Sequence, residues 1–318
     1  MSVGGVRCLV AALGATAATS WARSAAGTAA ASVGGSSLDP LIGDRARWNR
    51  TNHRGEPVSM LEGPATVVGL LVGGVLGAPS ARAALAATAA TAGGGAFGLV
   101  DDLTEDTTTR TKGLRGHLGA LAHGELTTGG LKVLGIGASA LVAAAIATPR
   151  SASSAGPRRG LAGWAFDVAS SGALIAATAN LVNLLDLRPG RALKASALVA
   201  APLVLAGGNG AGLAAAVIGA SVGAAPGDLA ERDMLGDSGA NALGALVGTA
   251  VVLGAPRGVR LALLAGAVGL TVASERVSFT KVIAATPVLR ELDGWGRRPA
   301  DGPGPGAAAT EPAADLTE

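Results

Sequence analysis

Charged residues are scarce in this sequence: Asp, Glu, Lys and Arg make up 15% of 318 residues, where a soluble globular domain carries about a quarter. Whole apolar stretches, among them Val133 to Thr148 and Ser238 to Gly254, carry none. That scarcity excludes an ordinary soluble domain. Cysteine is nearly absent, with Cys8 alone, so the chain has no internal disulfide and no thiolate metal cluster. Histidine is limited to His53, His117 and His123, and any site built from the C-terminal half must use other side chains.

What remains is apolar and small. Residues of the apolar class make up 49% of the chain, and 50 glycines come on top of them. The apolar blocks run from Val10 to Ala22, Ala65 to Ala78, Ala83 to Val100, Val133 to Thr148, Trp164 to Leu185, Ala195 to Gly207, Ala211 to Ala225, Ser238 to Gly254 and Val259 to Ala273. This pattern predicts an all-α polytopic membrane protein with about nine transmembrane helices, give or take one. Several blocks fall short of the roughly 20 residues that cross a hydrocarbon core, so flanking small residues must extend them. The first block, with Arg7 before it, has the look of a signal peptide; Arg23 on its far side and the apolar chain beyond favour a retained helix. Gly69, Gly73 and Gly77 form a small face suited to close helix packing, and compositional bias accounts for part of the Ala and Gly content. Residues 1–297 read as one membrane domain, and the Pro, Gly and Ala rich segment 298–318 as a disordered tail.

The basic residues orient the chain. Loops around 38–63, 101–132, 186–194 and 227–237, with the segment after Ala273, hold most of the Lys and Arg, while the opposite side holds Arg7, Arg82, Arg150, Arg158, Arg159, Arg257 and Arg260. The positive-inside rule then places the N-terminus outside and the C-terminus in the cytoplasm. All acids except Asp167, in or near the fifth block, fall on the cytoplasmic side. The rule does not require that of acids, so their segregation points to a site. The net charge of +3 is a topological signal and gives no reason to expect nucleic acid.

The acids come in clusters at block ends. The run Gly227 to Gly239 holds Asp228, Glu231, Asp233 and Asp237, the last where a polar loop meets the next apolar block. Asp101 and Asp102 end the third block, and Asp186 follows Asn180 and Asn183 at the end of the fifth. Adjacent acids on a helix diverge by about 100 degrees, so one of Asp101 and Asp102 can face an ion while the other anchors a loop. The segment Trp48 to Ser59, with Arg50, Asn52, His53 and Arg54, interleaves donors with turn residues and suits an anionic headgroup or a nucleotide phosphate. Bland readings stand beside these: Asn180 and Asn183 share a helix face and can join helices, Asp102 can cap the following loop, and Asp228, Glu231 and Asp233 read as solvated loop charge. The three histidines read as structural or solvated.

In order, the Arg50-Thr51-Asn52-His53-Arg54 loop, the Asp101-Asp102 pair, the Lys112-Gly113 element, Asn180-x-x-Asn183-x-x-Asp186 and Gly236-Asp237-Ser238-Gly239 resemble the polyprenyl-phosphate N-acetylhexosamine-1-phosphate transferases, the superfamily that includes phospho-N-acetylmuramoyl-pentapeptide transferase. The resemblance spans about Arg50 to Gly244. It implies a multi-pass plasma-membrane enzyme whose cytoplasmic groove binds Mg2+ and a UDP-N-acetylhexosamine. A polyprenyl phosphate attacks the β-phosphorus and UMP leaves, in cell-wall or surface-glycan synthesis. Membrane lipid is an expected partner, and a homodimer is counted among the expected assemblies.

The same resemblance assigns Asp237 as principal metal ligand with Asp102, Asp101 as base or orienting acid beside the acceptor phosphate, and Asp102 and Asp186 as the rest of a catalytic acidic rim. It gives substrate contacts to Arg50, Asn52, His53, Lys112, Asn180 and Asn183. The chain departs from the family pattern in two places. Asp186 is followed by Leu187, Arg188, Pro189, Gly190 and Arg191 rather than directly by glycine, so Arg188 and Arg191 are expected to contact phosphate. The last inner segment has Arg276 and Lys281 where the family carries histidines, and these are the expected substitutes. The departures keep open an inactive family fold acting as a structural or regulatory partner; a transporter is the remaining alternative, disfavoured because the acids cluster at one face.

Overall fold

The computed structural model of the chain describes residues 2–31, 45–52, 54–104, 128–150 and 160–299. Helix α1 spans Val3–Ala31. A single turn at Arg45–Trp48 leads into a small hairpin, β1 (Asn49–Thr51) antiparallel to β2 (Pro57–Ser59), with Arg50 opposite Val58. Eight long helices follow: α2 (Glu62–Gly77), α3 (Ala81–Thr104), α4 (Thr128–Ala147), α5 (Leu161–Leu185), α6 (Arg191–Ala206), α7 (Ala211–Asp228), α8 (Gly236–Gly254) and α9 (Arg257–Ser274). Two short helices close the described chain, α10 (Phe279–Ala285) and α11 (Pro287–Gly294).

Each of the nine apolar blocks corresponds to one of α1 to α9. Six of them, α1, α3, α4, α5, α7 and α9, are long and apolar enough to cross a membrane; α2 and α6 have 16 residues each. The helices overrun the blocks, because hydropathy marks only the apolar part of a helix while the backbone continues through its polar ends. The third block stops at Val100, yet α3 runs to Thr104 and carries Asp101 and Asp102 in its last turn. Breaks fall at Gly and Pro: Gly207 and Gly208 adopt φ of 72° and 77° after α6, and Pro256 precedes α9.

The core is centred on α7 and α8, which are buried along nearly their whole length. Around them stand α1, α2, α3, α5 and α6, while α4 packs mainly on α3 and α5. Helix α9 leans on α5 with only Ala267 buried. The tightest crossings are backbone on backbone. A Cβ on Gly212 would strike the carbonyl of Gly77, one on Gly219 that of Ala12, and one on Gly98 that of Asp237. Only glycine lets helices approach this closely, and in lipid such packing replaces the hydrophobic drive that water would supply.

Most of the expected tail lies outside the described residues. Its first residue, Arg298, is held: it forms an ion pair with Glu56 beside the hairpin at 2.5 Å.

Candidate functional site

The loop ends of α3, α4, α5 and α7 and the start of α8 meet at one end of the bundle. Asp101 and Asp102 diverge there as adjacent residues of a helix must. Asp101 faces α4, where Lys132 Nζ donates to its Oδ2 at 3.3 Å and also to Oδ2 of Asp237. Asp102 faces α8, and its two oxygens accept the backbone N–H groups of Asp237 at 3.0 Å and Ser238 at 2.9 Å. The Asp186 carboxyl, just beyond α5, lies close to the Gly236 backbone at the same turn. Two successive N–H groups at the start of α8 are thus satisfied by one carboxylate from the last turn of α3. The leading turn of a helix carries unpaired donors and the positive end of its dipole. Gly236, at φ 61°, supplies the left-handed turn that aims them.

A frame of polar contacts surrounds this centre. Arg50 donates to the backbone carbonyl of Asp102 at 2.6 Å, tying the hairpin to α3. Asn52 accepts the N–H groups of Arg54 and Glu56 and donates to Glu56 and Glu231. Arg54 pairs with Glu231 at 3.0 Å, and Glu231 is buried at a left-handed φ of 56°. Ser59 is hydrogen-bonded to the backbone of Arg232 and Met234. Asp228 is buried and accepts the N–H of Gly190 at 2.9 Å, and Asp233 pairs with Arg23 at 3.2 Å. Asp228, Glu231 and Asp233 are therefore not the solvated loop charges the sequence suggested. They are fixed because α7 ends inside the bundle and the loop folds back over it.

Two cavities open beside the centre. One, of about 290 Å3, is lined by Asn52, Asp186, Arg188, Asp228, Glu231 and Asp233 together with apolar residues. Burial, and after it the nearby Asp228, Asp237 and Asp102, hold the Asp186 carboxyl well above the usual carboxylate range. The other, of about 280 Å3, runs from Lys132 between α4, α5, α8 and α9 and is walled mostly by apolar side chains such as Ile136, Ala176 and Val268.

Several expected site residues are placed elsewhere. Arg191 is buried in a two-pronged pair with Asp293, at 2.7 and 3.0 Å, and also donates to Thr280 Oγ1; it fastens α11 and α10 to the start of α6. Asn180 donates to Thr271 Oγ1 at 3.3 Å, joining α5 to α9 while lining the apolar cavity. Asn183 lies one turn further on, half-buried. Arg276 and Lys281 are exposed, with no ion pair to either among the described residues. His53 and Lys112 lie outside the described residues.

Sequence reasoning passed over two groups. The sequence pattern puts Lys132 at the edge of a loop, although a lone ammonium inside an apolar helix is a site signal in its own right. Glu62, at the start of α2, is fully buried with neither oxygen hydrogen-bonded among the described residues; no spacing marked it.

For a divalent cation the residues suit a shared site and not a closed cage. Among the described residues no three His, Cys, Asp or Glu side chains gather to hold a metal ion. Asp101 and Asp237 nevertheless lie side by side, each giving one oxygen to Lys132 and keeping another. Mg2+ commonly takes one or two carboxylates and draws its remaining ligands from phosphate and water. No family model matches the chain, and no curated protein matches it.

Proposed function

We propose that the chain is a Mg2+-dependent membrane transferase that moves a hexosamine-1-phosphate from a UDP-N-acetylhexosamine to a polyprenyl phosphate. The observation that carries this reading is the placement of Lys132 between Asp101 and Asp237, over a helix start held by Asp102. The reaction brings two phosphate groups together against their repulsion and asks the protein mainly for alignment and neutralising charge. Mg2+, when bound, would be held by Asp101 and Asp237 and would supply that charge at the pyrophosphate. Lys132, released from its carboxylates, offers a cation to the acceptor phosphate. Asp101 holds or orients that acceptor. An oxygen of the polyprenyl phosphate forms a bond to the β-phosphorus, the anhydride bond between the α- and β-phosphorus breaks, and its electron pair leaves with UMP. Asp102 acts as a positioning residue through α8.

The apolar cavity that begins at Lys132 supports an isoprenoid acceptor, since it continues between helices away from the charged end. The cavity beside Arg188 is the space assigned to the nucleotide, with Arg188 as the basic residue in its lining. In this reading all nine long helices span the plasma membrane, the N-terminus is outside, and the charged end faces the cytoplasm, where UDP-sugars are found.

The test is purified protein with Mg2+, polyprenyl phosphate and a panel of UDP-N-acetylhexosamines, with UMP release as the readout. Wild type should release UMP and Asp101→Asn should be slower by at least about a hundredfold. Silence across the panel, beside an active authentic transferase, would remove this donor class.

A further inference from the structure

The opposite end of the bundle holds a second polar cavity that the transfer reaction does not use. Helix α5 has Asp186 just beyond its last residue and Asp167 near its first turn; 19 residues at 1.5 Å each separate them by about 28 Å along the helix, close to the thickness of a hydrocarbon core, about 30 Å. The cavity measures about 660 Å3 and is lined by Thr148, Gly160, Asp167, Ala255, Arg257 and Arg260 among others. It gathers the end of α4, the start of α5, the end of α8 and the start of α9.

Positive groups outnumber negative ones among the described residues here. Arg257 pairs with Asp167 at 3.1 Å while more than half of its side chain, 54%, stays exposed. Arg260 donates to Ser171 Oγ at 3.2 Å, and its Nε is buried with no hydrogen-bond partner among the described residues. The start of α9 adds its dipole and N–H groups without a side-chain cap at Pro256. A buried guanidinium donor left unbonded is costly, and two guanidinium groups against one carboxylate leave a site for an anion.

We propose that this cavity binds the phosphate of a membrane phospholipid headgroup. A lipid fits better than a soluble anion because the cavity opens at the level of an interfacial belt. Trp164 Nε1 donates to the carbonyl of Thr148 at 2.7 Å, and Arg150 lies over the Trp164 ring; such amphipathic rings settle at headgroup depth. Beside the cavity lining, Phe166, Val259 and Leu263 present exposed apolar side chains on α5 and α9, with Arg257 over the Phe166 ring, a surface suited to acyl chains. The inference uses only this end of the bundle and stands apart from the transferase reading.

The experiment places the full-length protein in phosphatidylcholine nanodiscs with a graded fraction of phosphatidylglycerol and counts retained lipid by native mass spectrometry. Wild type should retain phosphatidylglycerol selectively, and Arg257→Gln and Arg260→Gln should each weaken retention about tenfold, the loss expected for one charge-assisted contact, with UMP release unchanged in Arg257→Gln. Equal retention in wild type and Arg257→Gln would overturn the proposal, and because that side chain is largely exposed the variant will fold even if Arg260→Gln does not. Millimolar inorganic phosphate should leave the lipid in place. Displacement of the lipid by phosphate would overturn the lipid assignment in favour of a soluble anion.

Discussion

Asp102 accepts the backbone N–H of Asp237 at 3.0 Å, so the last turn of α3 caps the first turn of α8 across 135 residues of sequence. The bond is charge-assisted, and its partner on Ser238 doubles it. Asp102→Asn keeps the shape but turns one acceptor into a donor facing an N–H group. Its stability should fall by about 1 to 2 kcal/mol, read as a lower midpoint in detergent thermal unfolding, and Asp102→Glu should recover little because the longer chain overshoots the turn.

Lys132 and a divalent cation compete for the same carboxylate oxygens. In Lys132→Gln the oxygens of Asp101 and Asp237 face each other without a counter-charge, so Mg2+ should raise the unfolding temperature of the variant more than that of wild type. UMP release should meanwhile drop by at least about tenfold, since a fixed charge at the phosphate is lost. Equal Mg2+ shifts in the two proteins would separate the ammonium from the ion site.

Asp186 sets a pH dependence with an unusual sign. Its folded-state pKa lies above the ordinary Asp value of 3.8, through burial first and then the nearby Asp228, Asp237 and Asp102. The folded state therefore prefers the protonated carboxyl, and that preference is fully present below the unfolded value and is lost as pH rises through the folded one. Wild type should lose stability relative to Asp186→Asn as pH climbs from 4 toward neutrality, with unfolding midpoints measured across that range. Glu56 works oppositely: its hydrogen bonds from Arg298 and Asn52 hold its pKa below 4.5, so its stabilising contribution is lost as pH falls.

Glu62 carries a fully buried carboxyl with no bonded oxygen among the described residues. Replacing it with Gln removes the cost of burying a charge while keeping the volume. The variant should unfold at a higher temperature than wild type, read as the midpoint of thermal unfolding in detergent.

Arg191 predicts a local effect. With its fork on Asp293 removed in Arg191→Met, α10 and α11 lose their main polar anchor to α6. Limited proteolysis should then cut between Ser274 and Trp295 several times faster than in wild type, while the remainder of the bundle stays resistant.

The helices and the charged end were legible in the sequence because lipid-facing segments must be apolar and because acids gathered at block ends. The roles within the site were less legible. Asp101 and Asp102 were expected to diverge, and they do, but nothing in one sequence says that Asp102 turns toward the backbone of α8. Arg191 looked like a phosphate contact because its partner Asp293 lies 102 residues away. Lys132 was missed for a related reason: its acids come from α3 and α8, and only the packing of α4 against both elements brings the three together. Pairings set by tertiary contact leave no local pattern.

The glycine crossings divide the bundle into two kinds of position. At Gly77, Gly98, Gly212 and Gly219 the neighbour is main chain, which cannot rotate aside as a side chain does. Even one added methyl must push whole helices apart, and at Gly98 the displaced partner is the carbonyl of Asp237. A substitution deep among the helices therefore reads out at the charged end: widening the α3–α8 gap at Gly98 moves the carboxylate of Asp237 without altering any charged residue.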